Sequence, residues 1–524
     1  MVNIAPKILF FLTFITFTSR IFMIFITSRI IWEWEICEIF RISIKIELII
    51  EWRRILYSSI VLFISINVLK FSKLYIKIDI NNKRFTIIVL LFILSINILI
   101  FVPNILCLLI GWDGLGITSF ILIIYYNNSR SLSAGILTIT VNRLGDAFLL
   151  ISIRIMINSR NWTTFYLIND IFSFYQLLGI IVAAITKRAQ ILYSSWLPAA
   201  IAAPTTVSAL VHSSTLVTAG IFILYRFNKI IINSIIAQSI ILLRGILTIL
   251  VARINAIYEN DIKKIIALST LRQLGLIIIP LAIKIPILRF FHISTHAIFK
   301  ALLFISAGRL MLKNNHNQDL RLYGISFFST PVISSAMLIS SIALIGISFI
   351  RGYYSKHIII TWSSWLPINS IIYFRLLLII FLTFTYSMRI IIFIGTMPTK
   401  KHSIIEQNRS INNKTSLIIM SLARIITGRI IQWFSPLIDN LSLINENIKY
   451  IILDFMPITI TIYIYLRIKF YYRNQTTTKI FRSLILITPI STQFILPQYL
   501  NLSLLLYKIS RSDMTRKTIK YRTT

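Results

Sequence analysis

The chain has 524 residues, of which 57% are hydrophobic and 13% charged, with 53 Lys+Arg against 17 Asp+Glu for a formal charge of +36. A mean hydropathy of +0.82 is far outside the range of soluble globular proteins and excludes a soluble catalytic domain. The charge does not indicate nucleic acid either, because the basic residues are scattered singly through apolar segments, as at Arg154 and Arg244, instead of clustering on a polar face.

Apolar runs recur from Lys7 to Tyr507. They leave room for roughly 14 to 16 spans of about 20 residues each, so the fold class is an all-α polytopic membrane protein. Residues 1–84 hold the first spans and a polar patch from Glu33 to Arg54, read as a surface loop because charges of both signs meet there. The stretch after Met1 has no small-residue cleavage site and reads as a first span, not a signal peptide.

Residues 85–397 form a closely packed core of spans, joined by short connectors such as Tyr125–Ser129 and Tyr258–Lys264. Residues 398–524 begin with a polar loop, Pro398–Thr415, continue with spans near 416–437 and 450–471, and end in alternating basic and apolar segments that suit a helix lying along the membrane plane.

Proline and glycine are sparse, with 13 and 15 copies, so their positions carry information. Pro198 and Pro204 flank a run of small residues, and Gly346–Gly352 interrupts a second apolar segment before Lys356. Two broken apolar segments, each with an ionisable group, are the trace of a transporter with an inverted repeat; ordinary loops between spans would leave the same pattern.

Ionisable groups inside apolar segments need a partner or water, which makes them functional candidates. Asp113, Lys187, His212, Lys300 and Lys356 are the first set, with Asp146 as a second acid. His292, His296 and Lys300 are spaced by four and stack on one helix face, where they could pass protons or simply hydrogen-bond to neighbouring helices. Asp113 and Lys187 could equally form a structural buried pair.

The two cysteines, Cys37 and Cys107, are far apart in apolar sequence and build neither a metal nor an iron–sulfur motif. The glycines of Gly111–Gly116 do not have dinucleotide-binding spacing, no phosphate-binding loop occurs, and no metal site is expected.

With these residues assembled, the chain resembles the antiporter-like subunits of respiratory complex I. The resemblance rests on Gly111-Trp-Asp-Gly-Leu-Gly116, Asn142-Arg-Leu-Gly-Asp146, Ser195-Trp-Leu-Pro-Ala-Ala200, Val207–Gly220, Asp261–Thr270, Thr295–Phe304 and Gly352-Tyr-Tyr-Ser-Lys356. It implies two inverted five-helix repeats with broken helices, a polar axis of protonatable groups and a C-terminal lateral helix. It also places Asp113 opposite Lys187, makes His212 and Lys300 the bridging and central groups, puts Lys356 in the second broken helix, and sets His292 and His296 beside the centre as a secondary path with Asp146. Where the family has glutamate this chain has Asp113, where it has proline the chain has Leu192 and Thr206, and His357 stands in place of an acid.

The resemblance further implies proton pumping coupled to quinone reduction in the inner mitochondrial membrane, with no cofactor in this chain. NADH, FMN, iron–sulfur clusters and ubiquinone are expected on other subunits. The implied partners are other membrane-arm subunits, including another antiporter-like subunit and supernumerary subunits, together with membrane lipids such as cardiolipin. A cation/proton antiporter subunit of a non-redox complex and an inert scaffold are the alternatives.

One contradiction remains. An arginine at a helix centre costs roughly 2.5–3.5 kcal/mol even on insertion scales, and this chain would carry many. Mitochondrial code tables differ on whether AGA and AGG are serine and AUA methionine, and a chain with only 10 Met among very many Ile shows the bias of the wrong table. Arg188, Arg272, Arg309 and Arg351 fall where the family has small residues, often serine, whereas Arg143, Arg321 and Arg389 fall where it has arginine.

Overall fold

A computed structural model describes residues 2–26, 30–39, 42–77, 79, 81–158, 172–324, 326–346, 370–395 and 415–423, with Gly352, Ser355, Lys356, Ile358 and Ile359 from the segment between. The spans and lateral helix expected over 424–524, along with Arg351 and His357, lie outside the described residues.

The described chain is mostly helical: α1 Ala5–Ile26, α2 Trp52–Tyr75, α3 Asn82–Phe101, α4 Ile105–Ile123, α5 Ser129–Asn158, α6 Phe172–Lys187, α7 Trp196–Ala199, α8 Thr205–Arg226, α9 Ile235–Tyr258, α10 Ile262–Ala282, α11 Pro286–Lys313, α12 Pro331–Ile345 and α13 Ser370–Gly395. Eight of the described helices are long and apolar enough to cross a bilayer, and shorter apolar helices lie at Phe174–Lys187, Pro331–Ile345 and Thr383–Gly395.

The helices sort by burial. The apolar windows of α8, α10 and α11 are wholly buried and form the centre, while α3, α4, α5 and α9 bury one side and turn residues such as Leu94, Ile110, Leu150 and Leu243 outward. A helix apolar all round that exposes one apolar side is suited to lipid. α2, which precedes residue 85, packs against α11 and shares the main apolar core.

Close approach in the membrane relies on small residues. Between α9 and α10, a Cβ on Gly275 would sit 2.8 Å from the Gly245 carbonyl oxygen, so these two helices touch backbone to backbone. Arg54 and Arg226 converge on the last carbonyls of α3: Arg54 Nη1 donates to Phe101 O at 2.9 Å and Arg226 Nη2 to Ile100 O at 2.7 Å. Cations there complement the negative end of the helix.

The polar patch before Arg54 is not a loop. Ile30–Ile39 and Ile42–Ile50 pair as an antiparallel hairpin with a bulge between Glu35 and Cys37. Residues 42–48, Ile-Ser-Ile-Lys-Ile-Glu-Leu, alternate with the period of two that a strand requires. Lys45 lies across from Glu33 and Glu35, at 3.7 and 2.5 Å, and these carboxylates, Glu35 foremost, hold its proton more tightly than water would. Asn104 ties the hairpin to α4, donating to the Lys45 carbonyl at 2.7 Å while accepting from Leu106 N at 3.1 Å.

Candidate functional site

The first break is built between α6 and α8. α6 ends at Lys187, the backbone then takes left-handed angles at Ala189 (φ 51) and Leu192 (φ 85), and helix resumes only at Trp196. A leucine at φ 85 stores strain of order 1–3 kcal/mol, at an angle that a proline, locked near −65°, could not adopt. Beyond Pro204, α8 widens into a π-helical stretch over Ser208–Thr215, a geometry common at functional sites, and His212 sits within it.

The Lys187 side chain is fully buried, and its amine donates to the Trp112 carbonyl at 2.6 Å while resting 3.5 Å from the centre of the Trp112 ring. The Trp112 indole N–H in turn donates to Asp146 Oδ1 at 2.7 Å, and Arg143 pairs with Asp146 at 3.5 Å. Asp113 makes no direct ion pair with Lys187 among the described residues, and its buried Oδ1 has no hydrogen-bond partner. Asp146 and Asp113 both act on the Lys187 charge across space, Asp146 the more strongly. Trp112 thus joins two of the expected groups, Lys187 and Asp146.

Trp196 links the break to the next group. Its indole N–H donates to Thr186 O at 3.0 Å, and its ring lies 6.3 Å from that of His212, whose two ring nitrogens have no hydrogen-bond partner. Lys263 approaches the same break, donating to Ala203 O at 3.4 Å from a buried position. The sequence reading left Lys263 in a connector, although it belongs to the Asp261–Thr270 motif.

On α11, His292, His296 and Lys300 lie along one buried face, as their spacing requires. α10 answers with its own pair four residues apart: Lys300 donates to Ser269 Oγ at 2.5 Å, and His292 Nε2 lies 3.2 Å from Gln273 Oε1. His292 Nδ1 lies 2.9 Å from Ser355 Oγ. His296, between them, has neither ring nitrogen partnered and meets Phe299 edge-on.

The second break opens at Gly346, which caps α12 with φ 91, a conformation natural to glycine. Lys356 then donates to the Ile345 carbonyl at 2.9 Å, with Thr383 Oγ1 at 3.4 Å. Both break lysines therefore rest on a main-chain carbonyl and not on a carboxylate. Charge-bearing amines held by neutral acceptors can exchange their proton without breaking an ion pair.

The family profile described as NADH:quinone oxidoreductase/Mrp antiporter, transmembrane, matches residues 102–385, the stretch that contains all of these groups. NADH-ubiquinone oxidoreductase chain 5 of Lumbricus terrestris is 39% identical over 452 residues, covering 86% of this chain and 79% of the relative. The chain belongs to the NADH-ubiquinone oxidoreductase chain 5 family. The same family in Aedes aegypti is 39% identical, covering 83% of this chain and 77% of the relative. Two solved structures share the fold of this chain 5 relative. A subunit of the archaeal membrane-bound sulfane sulfur reductase aligns with a TM-score of 0.73 at 19% identity, covering 84% of this chain and 91% of that one. The Mrp complex from a Dietzia species aligns at 0.74 and 18%, covering 98% and 61%.

Three arginines stand out against this family. Arg188 reaches only the Leu274 carbonyl, at 3.3 Å; Arg272 reaches the Tyr386 hydroxyl and, at 3.4 Å, the Leu344 carbonyl; Arg309 reaches Ser416 Oγ at 2.7 Å. None pairs with an acid among the described residues, and all three leave Nε without a partner. Buried guanidinium groups without a counter-charge are among the least tolerable arrangements in a protein. Peptide mass spectrometry of the native chain is therefore expected to return serine at 188, 272 and 309, and arginine masses there would refute the codon-table explanation.

Proposed function

We propose that this chain is a proton-translocating membrane subunit of NADH:ubiquinone oxidoreductase in the inner mitochondrial membrane, and that the redox centres lie on other subunits. The observation that carries the reading is the set of buried amines and imidazoles, Lys187 at the end of α6, His212 on α8, His292 and Lys300 on α11, and Lys356 in the second broken segment. An inert scaffold has no use for so many buried titratable groups, each of which lowers stability unless it does something.

In this reading, quinone reduction elsewhere changes the charge at one end of the axis. The Lys187 amine then alternates between the field of Asp146 and Asp113 and the next group along the axis, His212. Moving one charge against 100 mV requires about 2.3 kcal/mol, and a tenfold change in proton affinity is about 1.4 kcal/mol, so a change of roughly 50-fold in the affinity of one group per step is sufficient to drive it.

The family match favours the redox complex over a cation/proton antiporter that contains no redox enzyme. Purification from the native membrane tests the choice. The chain is expected to copurify with other membrane-arm subunits and with NADH-oxidising activity; isolation in an assembly that exchanges cations for protons without oxidising NADH would overturn it.

A further inference from the structure

Among the described residues, the contacts around His292 are unlike those of the other buried histidines, His212 and His296, whose ring nitrogens have no hydrogen-bond partner. We propose that Ser355 is a relay hydroxyl that delivers protons to His292, and that Gln273 is the residue that holds the imidazole in position for the transfer. The inference rests on the proton-translocation reading above.

The argument begins with donors and acceptors. Gln273 Oε1, an amide oxygen, can only accept, so the proton of the neutral ring resides on His292 Nε2. Nδ1 is then bare and accepts the Ser355 hydroxyl proton across 2.9 Å. If the ring takes a second proton, Nδ1 becomes a donor, and a hydroxyl is the one partner that can turn from donor to acceptor without moving its oxygen. Gln273 serves both states unchanged. Both charge states of a fully buried imidazole are thus hydrogen-bonded, which an apolar, amide N–H or carboxylate neighbour at the Ser355 position could not achieve.

The surroundings fit this role. Ser355 is fully buried and immediately precedes Lys356 in the second broken segment. Thr295, one turn along from His292, donates to the His292 carbonyl at 2.9 Å and lies 3.4 Å from Ser355 Oγ, holding the hydroxyl in line. Lys356 is the foremost charged group that acts on His292.

In the transfer, the Ser355 O–H bond breaks as the His292 Nδ1–H bond forms. Ser355 Oγ takes a replacement proton from an ammonium group of the axis, which is left as a neutral amine, so one positive charge reaches His292 and no electrons change hands.

The test uses the whole complex in sealed vesicles, with assembly followed on native gels and protons counted per electron pair. Ser355→Ala and Gln273→Met are expected to assemble and to lower that ratio by this subunit's share, and Ser355→Thr, which keeps the hydroxyl, is expected to restore it. If Ser355→Ala does not assemble, Gln273→Met alone reads the junction. A wild-type ratio in Gln273→Met, or in Ser355→Ala, overturns the proposal, as does failure of an assembled Ser355→Thr to restore pumping. Lys356→Met separates the two levels: a normal ratio there removes the axis itself, whereas a lowered ratio beside a normal Ser355→Ala removes only the relay.

Discussion

Lys187→Met is expected to assemble into the complex and to lose proton pumping together with most of the coupled quinone reduction. Methionine keeps the length and apolar character of the lysine stem, so the buried contacts with the Trp112 ring survive while the titrating amine and its bond to the Trp112 carbonyl disappear. Hydrogen bonds from charged groups contribute about 1.5–3 kcal/mol, which corresponds to a fall of roughly 10- to 100-fold if that interaction is needed in the rate-limiting step. Turnover with an artificial electron acceptor, which bypasses the membrane arm, should stay near normal. Failure to assemble would instead assign Lys187 a structural role.

Asp146→Asn is the second large effect, and it should exceed that of Asp113→Asn. Asparagine can still accept from the Trp112 indole through Oδ1, so the geometry around the bond of 2.7 Å is kept and only the charge is removed. Asp146 is the stronger of the two anions acting on Lys187, and it is already half-paired with Arg143, which anchors it in place. Asp113 has a free buried oxygen and no direct bond to the lysine, so neutralising it disturbs the amine less. Proton uptake by assembled complexes carrying each variant decides the order; a larger loss for Asp113→Asn would restore it as the principal partner.

The helical membrane character was legible from hydropathy, and the His292, His296 and Lys300 stripe from a spacing of four, because both depend only on local periodicity. The hairpin at Ile30–Ile50 was also legible in its alternation, but its six charged residues drew attention to polarity instead of period. The acceptors of Lys187 and Lys356 could not be read in this way. They are main-chain carbonyls of Trp112 and Ile345, and every residue has such a carbonyl; only the fold frees these two and brings them to an amine.

Ser269 and Ser355 stand in quoted motifs but, like Gln273, carry no assigned role in the sequence, for a different reason. Neutral polar residues cost little in a hydropathy profile, so they raise no alarm, and their importance appears only when α10 faces α11 in register and the second break turns Ser355 onto His292. The π-helical turn that carries His212 has no sequence signature to follow either. At Leu192, where the family pattern has proline, the chain leaves the helix through a left-handed angle that a proline could not adopt, so that departure changes the local turn.

The most direct measurement is the number of protons released per NADH oxidised by the complex in sealed vesicles, compared between the native chain and Lys300→Met. Lys300 is fully buried on the central stripe and bonded to Ser269, so its loss interrupts the axis midway while leaving both broken segments in place. A lower ratio in the assembled variant, with unchanged electron flow to an artificial acceptor, is the predicted result. An unchanged ratio would contradict a proton path through this subunit.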